Sequence, residues 1–355
     1  MTLTTELAGA LALAAGRPEA PTAHLLLPAD APESEWHAVR RAGIGGSDVA
    51  AILGLAGKYS SPRHVFEAKH GRSTFDGDTE YAEVGREIED FIAYLFSKRS
   101  GVTVAKPPGT LVHNERAWMR ANVDRYALDE DGGVVAPVEC KNRSEYQIDD
   151  WEDGVPDAPA LQAHWYMAVG GWDYAWVTAL VGGNKLRFHR LERDEEMIGY
   201  LVDYCGKWFQ KHVVEGFPPP PDGLEATTNL LAKLWSVKPD EVATVDLAKA
   251  KELLARRADL KAQEKALDDA LRTVENEMRL LTGKAAIAKA DGKQAWSWKA
   301  NGTFASKKFR EAHPDLAAEY TTDAPVLDTE RLAADHPEIY AEFRARVLRP
   351  SRKGL

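Results

Sequence analysis

The chain has 355 residues, of which 44% are hydrophobic and 28% charged, and its formal net charge is −10 at neutral pH. These values are typical of a soluble globular protein with two domains or one large domain. The sequence contains no run of about 18 apolar residues, so no membrane span is predicted. The acidic balance argues against broad nucleic-acid affinity, although local charge decides where a phosphate binds. The two cysteines, Cys140 and Cys205, argue against a disulfide framework or a cysteine-held metal cluster and fit a reducing cytoplasm.

Changes in composition divide the chain into four predicted parts. Residues 1–34 are predicted to be an N-terminal arm. The apolar stretch ELAGALALAAG is not predicted to be a signal peptide, because no basic region precedes it and it has no clear cleavage context. A compact domain is predicted over 35–217. Four prolines at 218–221 cannot continue a helix or a central strand, so 218–245 is expected to be a Pro-rich linker. Residues 246–355 are the predicted accessory region.

The elements of the compact domain predict an α/β fold. SPRHVFEAKHG predicts a helix capped by Ser61, and EVGREIEDFIAYLFSKRSG predicts a longer helix with an apolar face. Three strand-like pieces follow, then the helix PALQAHWYMAVGG, a hairpin around GGN and a final amphipathic helix. This order predicts a central mixed sheet flanked by helices.

The accessory region is predicted to be α+β, with one long helix over about 246–281. Apolar residues recur along this helix at a spacing of three or four, and Arg257 and Glu264 interrupt them. A coiled-coil contact and an intramolecular helix hairpin both fit this pattern. A hairpin with the DG turn signature and short helices are expected next. The last fifteen residues contain five Arg or Lys against one acid, and this basic tail either contacts DNA or solvates the terminus.

The segment VECK at 138–141 contains the first chemical candidates. Side chains alternate between the faces of a strand, so Glu139 and Lys141 share one face and leave the other to apolar neighbours. Asp124 lies fifteen residues earlier, and a hairpin turn at DEDGG would bring it beside Glu139. Two adjacent carboxylates repel unless a cation lies between them, and Mg²⁺ prefers oxygen ligands. The pattern fits phosphodiester hydrolysis, although a solvated, charged strand pair would look the same.

The stretch from Glu35 to about Pro221 resembles the YqaJ-type viral recombinase nucleases, the family that contains phage lambda exonuclease. The resemblance covers separated blocks in the same order: EWHAVRRAGIGGSDVAAILG, VGREIEDFIAYLF, NVDRY, VECKN and LQAHWYMAV. It implies the PD-(D/E)XK nuclease fold, which has a restriction-endonuclease-like central sheet. The resemblance does not extend past residue 222.

The resemblance also implies a metal site. Asp124 and Glu139 would be the main ligands, and the backbone carbonyl of Cys140 would add an oxygen. Glu89 would reach the same site from its helix, directly or through water. Two Mg²⁺ ions are expected, and Mn²⁺ is expected to substitute for them.

Further roles follow from the resemblance. Lys141 would position the attacking water, and Gln162 would hold either that water or the lysine. Arg40 and Ser47 match the positions that bind a terminal 5′-phosphate, and Arg41 could take the place of Arg40. The glycines of GIGGSD let backbone N–H groups approach an anion at a helix start. The alternative is a plain turn and helix, with Ser47 or the following aspartate as cap.

The implied activity is that of a Mg²⁺-dependent exonuclease that resects linear double-stranded DNA from its 5′ ends for recombination. The family implies a single-strand annealing protein as partner, a homo-oligomer, no membrane association, and a phage or prophage gene expressed in the bacterial cytoplasm. Two alternatives remain open. One is a DNA endonuclease of the same fold, and the other is a DNA-binding or scaffold protein without catalysis.

Overall fold

The computed structural model describes residues 20–72, 80–234 and 241–298, with a few isolated positions beyond them. The chain divides into two compact units, Met1–Val237 and Lys238–Leu355. In the described residues no helix is both long enough and apolar enough to cross a membrane. The first nineteen residues and the basic tail at 341–355 lie outside the described residues.

The centre of the first unit is a mixed five-stranded sheet, which confirms the predicted fold class. Its strands, in spatial order, are β2 (Thr103–Ala105), β5 (Arg125–Leu128), β6 (Val134–Arg143), β7 (Tyr174–Val181) and β8 (Lys185–Glu192). Strands β6 and β7 are parallel, and the other neighbouring pairs are antiparallel. The parallel pair arises because a helix crosses from β6 back to β7, whereas the other neighbours in the sheet run antiparallel.

Helices cover both faces of this sheet. They are α1 (Glu33–Arg41), α2 (Gly46–Ile52), α3 (Pro62–Lys69), α4 (Glu80–Ser100), α5 (Asp157–Gly170), α6 (Glu195–Trp208, continued as a π-helix over Phe209–Val214) and α7 (Glu225–Leu234). Two short 3₁₀ helices, Glu145–Gln147 and Asp149–Trp151, follow β6. On one face, Phe96 of α4 packs with Val138 of β6. On the other, Trp165 of α5 packs with Val177 of β7.

A second sheet, which the sequence does not predict, includes part of the expected N-terminal arm. Strand β1 (Ala23–Pro28) pairs antiparallel with β3 (Gly109–His113), which also pairs with β4 (Arg120–Ala121). Leu25 and Leu26 of β1 remain exposed. The strand is therefore held mainly by backbone hydrogen bonds. Such a strand does not need alternating apolar residues, so no alternating pattern in the sequence predicts it.

The stretch expected to be a linker also contains a packed helix. Three residues of α7 are buried, namely Ala226, Thr227 and Leu230. The hydroxyl of Thr227 donates to the hydroxyl of Ser61, the cap residue of α3, at 2.8 Å. The proline run ends the preceding helix, as expected, but the chain then returns to the surface of the first unit.

The second unit begins with the predicted long helix, α8 (Leu247–Thr282), whose first turn is capped by Asp246. Strands β9 (Ile287–Ala290) and β10 (Lys293–Ser297) form an antiparallel hairpin after it. Asp291 and Gly292 at its tip both have positive φ, as the DG signature predicts for a type I′ turn.

Candidate active site

Glu139 and Lys141, the two charged residues of VECK, lie on the same face of β6, as the alternation of side chains predicts. Lys141 donates from Nζ to Glu139 Oε1, and also to Gln162 Oε1 at 3.0 Å. Gln162, a buried residue of α5, donates from Nε2 to the same Glu139 oxygen at 2.8 Å. An acid, an amine and an amide from two elements thus form one hydrogen-bonded cluster.

Asp124 joins this cluster from the position just before the neighbouring strand, β5. Arg125 is paired with Val138 in the antiparallel β5–β6 ladder, so Asp124 lies beside Glu139, as the predicted hairpin requires. Its Oδ2 accepts from the backbone N–H of Cys140 at 2.7 Å. Burial and the nearby Glu139 carboxylate raise the pKa of Asp124 well above its usual value.

The two acids of this cluster, Asp124 and Glu139, fit a divalent cation. Glu139 Oε2 is buried and has no hydrogen-bond partner in the part of the chain that the structure describes. Asp124 and Glu139 place two carboxylates against one ammonium group, that of Lys141, so the site carries an excess of negative charge away from water. Oxygen donors with this charge excess are what Mg²⁺ or Mn²⁺ requires.

The predicted third acid, Glu89, is held by a neighbour. Arg125 is buried, and its guanidinium contacts Glu89 and Asp90 of α4 together with the backbone carbonyl of Asp124. Glu89 still lies close enough to raise the pKa of Asp124. Among the described residues, no three His, Cys, Asp or Glu side chains are gathered as a preformed metal site. The sequence has no pattern that marks Arg125, which simply follows the aspartate in NVDRY.

A cavity of about 190 Å³ adjoins the acid cluster, and Asp124 and Gln162 form part of its wall. Arg40 and Ser47 line the same cavity, and Arg40 Nη2 donates to Ser47 Oγ at 3.1 Å. Arg41 is exposed and is not part of the lining. The structure therefore brings Arg40 and Ser47, predicted from a separate motif, to the edge of the predicted catalytic site.

A buried ion pair supports this cavity. Lys69 of α3 donates to Asp48 Oδ2 at 2.6 Å and to the backbone carbonyl of Arg40 at 2.8 Å. Asp48 also accepts from the backbone N–H of Gly45 at 2.9 Å, so it caps α2. Burial opposes ionisation of Asp48, but the charge of Lys69 holds its pKa below the usual value. The last turn of α1 and the first turn of α2 are thereby held together.

Arg120 of β4 adds a second guanidinium to the cavity wall. Its Nη1 donates to the backbone carbonyl of Val39, and its Nε is buried without a hydrogen-bond partner in the described residues. Gly43 makes room for it, because a Cβ there would lie 2.6 Å from Arg120 Nε. No motif marks Arg120 in the sequence, and only the folded chain brings it to Gly43.

Gly46 makes a comparable close contact at the start of α2. A Cβ at this position would lie 2.7 Å from Tyr166 Cε1 and 2.9 Å from Gln162 Cγ. Tyr166 cannot easily retreat, because its hydroxyl donates to the carbonyl of Asn122 at 2.5 Å and accepts from Gln162 at 2.8 Å. Because Gly46 has no side chain, α2 packs directly against Gln162, the residue whose amide oxygen accepts a hydrogen bond from Lys141.

We expect Gly46→Ala to destabilise the first unit by about 1–3 kcal/mol, because an extra methyl group overpacks this contact. The measurement is urea unfolding followed by tryptophan fluorescence. The matched control is Gly85→Ala in α4, where a Cβ would meet nothing within 4 Å. The control should be neutral or stabilising, by up to about 1 kcal/mol. Equal stability of the two variants would contradict the contact described for Gly46.

The fold and the site together define a mixed α/β protein with an acid–lysine centre beside a cavity lined by Arg40 and Arg120. The model of the YqaJ-like viral recombinase domain matches residues 35–173. The uncharacterized protein YqaJ of Bacillus subtilis (strain 168) is 31% identical over 288 residues, covering 79% of this chain and 88% of that protein. The chain belongs to the YqaJ-like viral recombinase family.

Solved structures with a similar fold include two bacterial exonucleases. The alkaline exonuclease LHK-Exo of Laribacter hongkongensis is 17% identical with a TM-score of 0.41, and the match covers 51% of this chain and 93% of that one. A phage-related exonuclease of Haemophilus somnus 129PT is 14% identical with a TM-score of 0.38, and the match covers 51% and 99% of the two chains.

Proposed function

We propose that this protein is a deoxyribonuclease that resects linear double-stranded DNA from its 5′ ends for recombination. The observation that carries the proposal is the shared cavity: Arg40 and Ser47 line the same space as Asp124 and Gln162. A phosphate held by Arg40 would lie next to the acid cluster, so binding of a DNA end and cleavage near that end would be coupled in space.

The catalytic roles follow from the contacts in the acid cluster. Asp124 and Glu139 would hold the divalent cation, Mg²⁺ or Mn²⁺, which when bound supplies water activation and neutralisation of phosphate charge. Lys141 would orient the attacking water and stabilise charge on the phosphoryl oxygens. Gln162 accepts a hydrogen bond from Lys141 at 3.0 Å and so holds its ammonium group in place. On release from Arg125, Glu89 would join the metal ligands, and the backbone carbonyl of Cys140 would add a further oxygen. A second ion is expected at the same site.

The charge of the cavity favours a terminal phosphate over an internal phosphodiester. Arg40 and Arg120 bring two positive charges to the cavity wall, and Lys69 behind the wall offsets Asp48. Asp124, the other acid of the wall, would be offset by the cation that it is proposed to hold, which leaves a net charge of about +2. A phosphomonoester carries about −1.5 to −2 at neutral pH, whereas a phosphodiester carries one charge. A planar guanidinium also suits bidentate phosphate binding. Charge and geometry therefore support exonuclease action, with a single-strand annealing protein as the expected user of the product.

We expect degradation in Mg²⁺ to be confined to linear duplex and to be faster when its 5′ ends are phosphorylated. Arg40→Gln should reduce this preference for phosphate at least about tenfold, since it removes a charged hydrogen bond to the terminal group. The measurement compares initial rates on end-labelled linear duplex, with and without 5′-phosphate, and on closed circles.

Arg41→Gln is the matched control, because it removes the same charge from an exposed neighbour outside the cavity. It should keep the phosphate preference of the wild type. Nicking of closed circles at a comparable rate would instead identify an endonuclease. No cleavage of any DNA in Mg²⁺ or Mn²⁺ would favour the non-catalytic alternative.

A further inference from the structure

Helix α8 carries an uncovered apolar stripe. Five of its apolar residues are each between 51% and 71% exposed: Leu253, Leu260, Leu267, Leu271 and Val274. Their spacing of seven, seven, four and three residues is that of a heptad seam, with Leu253, Leu260, Leu267 and Val274 at d positions and Leu271 at an a position. An apolar seam of this length is characteristic of a helix that packs against another helix.

Two charged residues occupy the other a positions and restrict the possible partner. Arg257 and Glu264 stand at consecutive a positions and carry opposite charges. In a parallel pair of identical helices, each of them would face its own copy across the seam, and both layers would place like charges together. In an antiparallel pair, each would face a d-position leucine and come near the opposite charge.

We propose that α8 pairs antiparallel with α8 of a second copy of this chain, about a two-fold axis near residue 262. This register pairs Leu253 with Leu271, Arg257 with Leu267 and Leu260 with Glu264, and it places Ala250 opposite Val274. Every exposed residue of the stripe is then covered, and each element of the contact occurs twice by symmetry.

The charges select this register. Arg257 of one copy falls in the layer next to Glu264 of the other, so two ion pairs form across the seam, while the two Arg257 side chains are kept three layers apart. Within its own helix, Arg257 has no ion-pair partner among the described residues, whereas Glu264 pairs with Lys261. The two Lys261 side chains meet near the axis, where each keeps its own glutamate as a counter-charge.

The described residues of the second unit that follow α8 leave this part of the helix free. Thr282, at the end of α8, accepts a hydrogen bond from Trp296 of the β9–β10 hairpin at 2.7 Å. Met278, the next a position, is only partly exposed. The hairpin therefore packs beside the last turn, and the stripe from 253 to 274 stays uncovered by it. Pairing of α8 with a second copy does not depend on the proposed nuclease activity.

The test is sedimentation of the full-length chain over a concentration series. Arg257→Glu alone, or Glu264→Arg alone, should weaken self-association by at least about tenfold, since each turns an attraction into a repulsion. The double variant Arg257→Glu with Glu264→Arg should recover association. Lys265→Glu is the matched control on the outer face and should associate like the wild type. Far-UV circular dichroism checks that each helix is retained.

Helix orientation is tested by disulfide trapping. A mixture of the Leu253→Cys and Leu271→Cys chains should form a mixed crosslinked dimer, whereas a parallel pair would crosslink each variant with itself. A chain that stays monomeric at every concentration would overturn the proposal. Failure of the double variant to recover association would overturn it as well. If α8 packed against another segment, such as 299–355, that segment would keep its own charges, and the double variant would not restore the pairing.

Discussion

Lys141→Met is expected to reduce the rate of DNA cleavage by about two to four orders of magnitude without unfolding the protein. Its ammonium group is the cation that the structure places between Glu139 and Gln162. No other lysine or arginine donates to this pair in the described residues. Loss of one preorganised charged donor typically costs a hydrolytic enzyme about 10²–10³ in rate, and loss of proton transfer costs a similar factor.

The measurement is single-turnover cleavage of a 5′-phosphorylated duplex in Mg²⁺. The variant should still bind the DNA end when Ca²⁺ replaces Mg²⁺, because Lys141 does not line the cavity that contains Arg40. Lys185→Met, on the exposed end of β8, controls for the loss of one positive charge and should cleave at the wild-type rate. A Lys141→Met chain that retains more than about a third of the activity would exclude the proposed mechanism.

Asp124→Asn should abolish metal-dependent activity and, unlike most substitutions of buried residues, stabilise the protein in EDTA. The wild-type chain holds the carboxylates of Asp124 and Glu139 close together, and the one ammonium in the cluster, that of Lys141, is bonded to Glu139. Replacing one carboxylate with a neutral amide relieves this repulsion by on the order of 1 kcal/mol. For a unit of this size, that is about 2–4 °C in Tm.

The measurement is thermal unfolding in EDTA and in millimolar Mn²⁺. Manganese should raise the Tm of the wild type, because a ligand that binds only the folded state stabilises it. The Asp124→Asn chain should lose most of this increase. Asp173→Asn, at an exposed aspartate before β7, should behave like the wild type in both solutions. A manganese shift that survives in Asp124→Asn would place the cation elsewhere.

The central sheet and the acid cluster could be predicted because their signals are local. Strand alternation puts Glu139 and Lys141 on one face, and the turn at 129–133 returns the chain so that Asp124 lies opposite Glu139. The long helix and the DG hairpin are equally local, since a cap, a heptad spacing and two positive-φ residues define them. For the acid pair, the long helix and the hairpin, the interacting residues lie within one element or in consecutive elements.

The parts that could not be predicted depend on contacts between distant segments. Strand β1 has one buried residue, Leu27, and α7 packs where Thr227 meets Ser61, 166 residues away. Arg125 and Arg120 acquire their roles only where α4 and the loop before α2 approach the sheet. No spacing rule in the sequence reports such approaches.

The bare backbone of Gly46 has one more consequence. Because α2 lies directly against Gln162 and Tyr166, the loop that lines the Arg40 cavity and the amide that holds Lys141 cannot shift independently. The distance from the terminal phosphate in this cavity to the phosphodiester that is cleaved would then be fixed by the backbone. Fragment length should therefore be the same whatever bases the strand carries.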